Sequence, residues 1–350
     1  MHAGHHLFGI QPNGGLLYYR VADTACMQPS EEMNIWRLRQ GFMGLSTYFD
    51  LCGRQPDWNK GGTAEAREVR AVFAALKAGR TLDRPTLQKA AFILLGLGPG
   101  KHLRMMQQHA AVFGKHLTPQ YRELLPKLDL TLPARSELMF HIINPELYVW
   151  VPPKLEQPRQ LLICFATQKN TFNMPRPLAH FELARLGVGL MYVGNRPQFD
   201  PSEGFMGRGI ESSALLMKKV ANDLGFDRLY GLGISLGGYA ACRYAAPLGL
   251  ERVLNFSGAS NAPSVIPAKQ RSLGYHVKNY PHDQILSVLS KTDPTDQKIR
   301  ADYKTSGFGT LQDDVDSAAH GTFSAAFIEN KLSGYLAWLL GKTGGFTPKI

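Results

Sequence analysis

The chain has little cysteine: four in 350 residues, at positions 26, 52, 164 and 242, with no Cys-x-x-Cys pair. A zinc ribbon therefore has no support, and so few thiols make a reducing cytoplasm the expected compartment. Long hydrophobic runs are missing too. No stretch of 18 apolar residues occurs, which argues against a membrane-spanning helix. The first residues, Met1-His-Ala-Gly-His-His-Leu7, lack a basic segment followed by an apolar one, so no secretory signal is expected. Acidic residues are outnumbered, 28 against 39 Lys and Arg, for a formal charge of +11. Residues 1–150 hold 17 Lys and Arg against 12 Asp and Glu, and the remainder 22 against 16. Basic charge is thus spread rather than gathered into an arm, and no nucleic-acid partner is expected. A mildly basic surface instead favours acidic substrates or anionic membranes. There is no G-x-x-x-x-G-K-[ST] phosphate loop, no internal repeat and no low-complexity segment.

What is present is ordinary globular material. Hydrophobic residues make up 44% and charged residues 19%, so enough apolar surface exists to offset chain entropy and disorder is excluded. The length fits one large or two ordinary domains. The pattern changes near residues 126–136. Before it, helical spacing dominates. Val69, Val72, Phe73 and Leu76 share one face of a helix predicted over 64–78 and stopped by Gly79. Further helices are predicted over 31–45, 84–96, 101–113 and 119–126, with residues 1–30 ambiguous. After the change, short apolar runs alternate with helices. Strands are predicted at 138–143, 147–151, 161–166, 189–193, 228–234, 252–256 and 284–290. Helices are predicted at 177–186, 212–224, 238–246 and 324–340. Such alternation implies a mostly parallel sheet covered by helices on both faces. The expected division is a mainly helical region over 1–130 and an α/β domain over 136–350.

The segment that carries chemistry is Leu229-Tyr-Gly-Leu-Gly-Ile-Ser-Leu-Gly-Gly-Tyr239. Within it Gly233-Ile-Ser235-Leu-Gly237 is a G-x-S-x-G, preceded by a predicted strand and followed by a small-residue helix. That strand–turn–helix context is what a nucleophile elbow needs. Gly233, Gly237 and Gly238 clear space around a sharp turn. The turn lifts the Ser235 hydroxyl to a helix N-terminus, where the dipole and unpaired amides favour developing negative charge.

On these residues the chain resembles the α/β-hydrolase superfamily of serine hydrolases over about 136–345. The resemblance implies a histidine and an acid, following the serine in chain order. His320, in Asp316-Ser-Ala-Ala-His-Gly-Thr-Phe323 just before the last helix, matches the family's histidine loop better than His276 or His282. The acid falls in Ser290-Lys-Thr-Asp-Pro-Thr-Asp296. Asp293 takes the family's acid position, with Ser290 where a glycine is usual, and Asp296 is the alternative one turn on. Asp302, Asp313, Asp314 and Asp316 read as solvated loop charges. The oxyanion hole is expected from the Leu236 N–H and from Ala166 or Thr167, in a loop that lacks the common His-Gly or Gly-Gly.

The activity implied is cleavage of a carboxylic ester through an acyl-enzyme, with no metal or organic cofactor. The expected partner is a small-molecule or glycan ester. Residues 173–187 and Phe256-Ser257-Gly258 loosely resemble hydrolases of bacterial glycan-modifying or export loci. Two alternatives stand beside this reading: an O-acyltransferase using the same three residues, and a non-catalytic hydrolase-like binding protein. Cys164 and Cys242 read as small buried hydrophobes. His102, His109 and His116, seven residues apart, read as a solvated helix face rather than a metal site. Gly204–Gly209 reads as a loop.

Overall fold

A computed structural model describes residues 5–10, 16–21, 64–83, 85–87, 119–127, 140–144, 147–152, 154–167, 172–174, 176–194, 209–260, 273–317 and 320–342, with the single residues 90 and 112. The expected helix at 31–45, the His102, His109 and His116 series and nearly all of Gly204–Gly209 lie outside these residues. The chain forms two compact units, one of 1–142 with 174–185 and one of 143–173 with 186–350.

The first unit contains strands β1 (His5–Ile10) and β2 (Leu16–Val21), paired antiparallel. Residues 1–30, for which the patterning gives no reading, are therefore not helical throughout. β1 also pairs antiparallel with the start of β3 (Phe140–Asn144), through Phe8 against Phe140 and His6 against Ile142. This backbone pairing goes with 140–142 lying in the first unit. Helix α1 (Ala64–Lys77) follows its predicted span, with Val72 and Phe73 buried. Gly79 ends it at φ 70, donating to Leu76 O while Arg80 N reaches Ala75 O. Helix α2 (Pro119–Leu124) opens on the proline, whose missing N–H costs nothing at that position. Helix α3 (Arg176–Ala184) completes the unit's described helices.

The second unit is built on strands β4 (Leu147–Trp150), β5 (Gln160–Phe165), β6 (Gly189–Val193), β7 (Arg228–Ile234), β8 (Val253–Phe256), β9 (Ile285–Ser290) and β10 (Leu311–Val315). Their order is β10-β9-β8-β7-β5-β6-β4. All neighbours are parallel except β4, which runs antiparallel to β6. The interior strands are continuous apolar runs because parallel strands are covered on both faces; Leu161–Phe165 are fully buried. From β5 the chain goes outward to β6, then returns across β5 to β7. The direction of winding reverses between β5 and β7, and ligand sites of open α/β sheets lie at the carboxyl ends of such strands.

Helices α4 (Gly209–Asp223), α5 (Leu236–Leu248), α6 (Leu273–Val277), α7 (Pro294–Thr305), α8 (Thr322–Ile328) and α9 (Leu332–Leu339) complete the unit. Successive residues of a strand face opposite sides, and β8 shows which helices lie where. Asn255 stands against Gly238 of α5 and donates to the Tyr303 hydroxyl of α7 at 2.9 Å. Phe256 meets Phe323 of α8 and Tyr335 of α9 edge-on, ring centres 5.2 and 6.1 Å away. The sheet thus has helices on both faces, as expected. The expected last helix over 324–340 is instead two helices. Asn330 at φ 59 breaks it, in the left-handed conformation asparagine tolerates better than most residues. Among the described residues no helix is long and apolar enough to cross a membrane.

Candidate active site

The turn from β7 into α5 is one residue long. Ser235 stands between them at φ 57, ψ −120, a conformation that costs a non-glycine residue of order 1–3 kcal/mol unless its surroundings impose it. They do. The Ser235 N–H donates to Phe256 O at 2.8 Å, and its carbonyl accepts from Gly238 N and Tyr239 N at 2.9 and 3.2 Å. The three expected glycines allow the approach. A Cβ on Gly233 would stand 2.0 Å from Gly237 O, one on Gly237 2.1 Å from Phe165 O, and one on Gly238 2.2 Å from Asn255 Oδ1. The start of α5 is thereby pressed against the end of β5.

Ser235 Oγ lies 3.0 Å from His320 Nε2, and His320 Nδ1 lies 2.6 Å from Asp296 Oδ1. The structure brings Asp296, not Asp293, to the histidine. The reason is local. Asp293 is the N-cap of α7: its Oδ1 accepts from Thr295 N at 2.9 Å and Asp296 N at 3.1 Å, with Pro294 at the first helical position. The cap turns Asp293 onto its own helix and leaves Asp296, in the first turn, aimed at the histidine loop. The sequence held a signal for this, since Asp followed by Pro marks a helix start.

Asp296 is fully buried and fully engaged. Its Oδ2 accepts from Ser290 N at 2.6 Å and from Ser257 Oγ at 2.5 Å. Ser290, in the usual glycine position, uses its hydroxyl to accept from Asp293 N at 2.9 Å and Thr292 N at 3.1 Å and to donate to Ser317 O, tying the acid turn to the chain before His320. The hydrogen bond to Asp296 raises the His320 imidazole above its ordinary 6.5; burial opposes this, and the charges of Asp296 and Asp293 add to it.

Of the expected oxyanion donors, Leu236 is the first residue of α5, where amides lack intrahelical acceptors. Ala166 is corrected: its N–H donates to Val193 O at 3.1 Å and is spent within the sheet. Thr167, the other expected donor, follows it and is buried.

Asp293, Asp296 and His320 bring ligand-type atoms within 4.8 Å of one another. These atoms already serve the α7 cap, the acid–imidazole bond and the contact with Ser235, so hydrogen bonding accounts for the cluster. The other downstream histidines lie elsewhere, His276 edge-on to Tyr239 and His282 against Phe308. Asp302, Asp313 and Asp314 are not loop charges. Asp302, on α7, accepts from Ser260 Oγ at 2.6 Å; Asp313, on β10, accepts from the Tyr335 hydroxyl at 2.9 Å; Asp314 pairs with Arg300. Cys164 and Cys242 are buried and their thiols are pushed up by burial, as small core residues should be. Sequence reasoning gave no role beside the acid to Ser257, which it noted only within Phe256-Ser257-Gly258, or to Thr322; Ser257 bonds Asp296 and Thr322 bonds Ser257.

No family model matches the chain, and no curated protein matches it. Solved structures do. The 2,6-dihydroxy-pseudo-oxynicotine hydrolase is 14% identical, with 89% of this chain and 97% of that one covered, at a TM-score of 0.42. An α/β serine hydrolase without a lid from Xanthomonas campestris is 16% identical over 58% of this chain and 91% of its own, at 0.39. A thermostable carboxylesterase cloned from a metagenomic library is 15% identical over 58% and 86%, at 0.37. The strand order, with one antiparallel strand beside β6, and the serine turn at the reversal point give the chain the α/β-hydrolase fold.

Proposed function

We propose that the protein is a serine hydrolase that cleaves a carboxylic ester of a small molecule or glycan through an acyl-enzyme. One observation carries the reading: the unbroken chain from Ser235 Oγ through His320 to Asp296, at 3.0 and 2.6 Å, on a strained turn at a helix N-terminus. In this reading Ser235 Oγ attacks the ester carbonyl carbon while His320 Nε2 takes its proton. Asp296 holds the imidazole with Nδ1 protonated and stabilises the imidazolium. The Leu236 and Thr167 amides receive the oxyanion. On collapse the ester C–O bond breaks, and the departing alkoxide takes the proton from His320. Water then attacks the acyl-enzyme, gives its proton to His320, and releases the carboxylic acid as Ser235 recovers that proton. Besides substrate and water, the cycle uses these residues alone.

The test is labelling of the purified protein with a fluorophosphonate probe, followed by mass mapping and hydrolysis of a p-nitrophenyl ester series. The expected result is one adduct on Ser235, absent in Ser235→Ala, with ester turnover lost in parallel. Correctly folded protein that takes no adduct and turns over no ester would overturn the reading.

A further inference from the structure

The loop after β8 touches all three of the elements that carry Ser235, Asp296 and His320. Phe256 O accepts from Ser235 N at 2.8 Å, and Ala259 N reaches Ser235 O at 3.4 Å. Ser257 N donates to Val288 O of β9 at 2.9 Å, the Tyr303 hydroxyl of α7 donates to Gly258 O at 2.6 Å, and Ser260 Oγ donates to Asp302 at 2.6 Å. Within this pinned loop Ser257 sits at φ 47, fully buried. Glycine adopts that backbone without cost and other residues do not. A side chain held there against strain and out of solvent has something to do.

Its hydroxyl donates to Asp296 Oδ2 at 2.5 Å and lies 2.8 Å from Thr322 Oγ1. A serine has one hydroxyl proton, and here the carboxylate takes it, so Thr322 must be the donor in the second bond. Thr322 is two residues beyond His320, at the start of α8. A line of hydrogen bonds therefore runs from the histidine loop through Ser257 to the acid.

We infer that Ser257 is a positioning residue, whose hydroxyl fastens the histidine loop to the acid and fixes the Asp296 carboxylate with Oδ1 toward His320. The inference rests on the serine-hydrolase reading above. Two donors, the Ser257 hydroxyl and the Ser290 amide, hold Oδ2; removing one leaves the carboxylate a single fixed donor besides the imidazole. The donor also draws charge from the carboxylate, so its loss strengthens the pull of Asp296 on the imidazolium. Asp293 and Asp296 are the charged groups acting on His320, and the Tyr303 hydroxyl lies near Asp296; the substitutions below alter none of them.

The experiment compares the full-length protein with Ser257→Ala, which keeps the strained backbone, and Ser257→Gly, which removes hydroxyl and strain together. His320 is titrated by NMR, and kcat, KM and Tm are measured on a p-nitrophenyl ester. The expected result is a His320 midpoint raised by about half a pH unit or more in both variants. With it kcat falls about tenfold at nearly constant KM, while the Tm of Ser257→Gly stays at or above that of the wild type. An unmoved His320 midpoint with unchanged kcat in Ser257→Gly overturns the inference, as does a kcat loss that merely follows a lowered Tm. The titration needs no turnover. A protein that takes no probe on Ser235 yet shows the shifted midpoint refutes the hydrolase reading and not the tie between Ser257 and the His320–Asp296 pair.

Discussion

Asp293 and Asp296 stand one helical turn apart, and their division of labour is the sharpest residue-scale feature of the site. Asparagine caps a helix about as well as aspartate, so Asp293→Asn should keep α7 and hold kcat/KM within a few-fold of wild type. Asp296→Asn removes the acceptor that fixes the His320 tautomer and should lower kcat by about 10³–10⁴-fold. Ester kinetics on the two variants, with circular dichroism for folding, checks this; the reverse ranking would return the acid role to Asp293. The contact between Ser235 and His320 was legible because the elbow motif and the chain order point to those two residues. The acid was not, since two aspartates satisfied the same spacing and only cap geometry separates them. A second expectation concerns pH. In the proposed mechanism the base must be neutral to accept the Ser235 proton, and His320 is held above 6.5 by its hydrogen bond to Asp296. kcat/KM should therefore climb through an acidic limb whose midpoint lies above 6.5 in a pH–rate profile. Stability runs the other way. A raised folded value means protonated His320 stabilises the fold fully below 6.5, and that contribution fades as pH rises through the raised value. A limb below 6.5 would contradict the acid–imidazole contact.

At the scale of elements, the elbow is the part with least freedom. A methyl group on Gly237 would overlap the Phe165 carbonyl at 2.1 Å, and the next atoms it meets, Ala166 O and Phe165 C, are also backbone, so nothing flexible can yield. Gly237→Ala should cost about 3 kcal/mol or more, in the range of severe core substitutions. Urea unfolding, together with loss of probe labelling on Ser235, measures it; a fully stable Gly237→Ala protein would mean that α5 does not press on β5. Elements were legible in proportion to their burial. β5 through β9 announce themselves as apolar runs because both faces are covered, and α1 by its single apolar stripe. β10, Leu311-Gln-Asp-Asp-Val315, went unread because an edge strand is half exposed and keeps charges that discourage further pairing. The split between α8 and α9 was hidden because apolar residues recur on both sides of Asn330, and nothing in hydrophobic spacing records a left-handed residue.

For the molecule as a whole, Thr167, Ser235, Leu236, Ser257, Asp296 and His320 all fall in the unit of 143–173 and 186–350, in the turns or helix starts that follow the carboxyl ends of parallel strands. Residues 85 positions apart, such as Ser235 and His320, meet because parallel strands start their connections at the same edge of the sheet. Fold class and the place of the site thus follow from alternation and one motif, whereas the β1–β2 pair had no such pattern to betray it. The charge of the chain is a property of the same scale. With 39 Lys and Arg against 28 Asp and Glu, the protein carries +11 before any local arrangement is considered. A net positive field raises the encounter rate of anionic substrates, and salt screens it over about 10 Å at 0.1 M. An anionic ester, such as a succinate monoester, should lose about threefold in kcat/KM between roughly 20 and 200 mM sodium chloride, while its uncharged isostere changes little. Measured at substrate levels well below KM, equal salt responses for the two esters would show that the excess charge lies away from the path to Ser235 and plays no part in selecting its substrate.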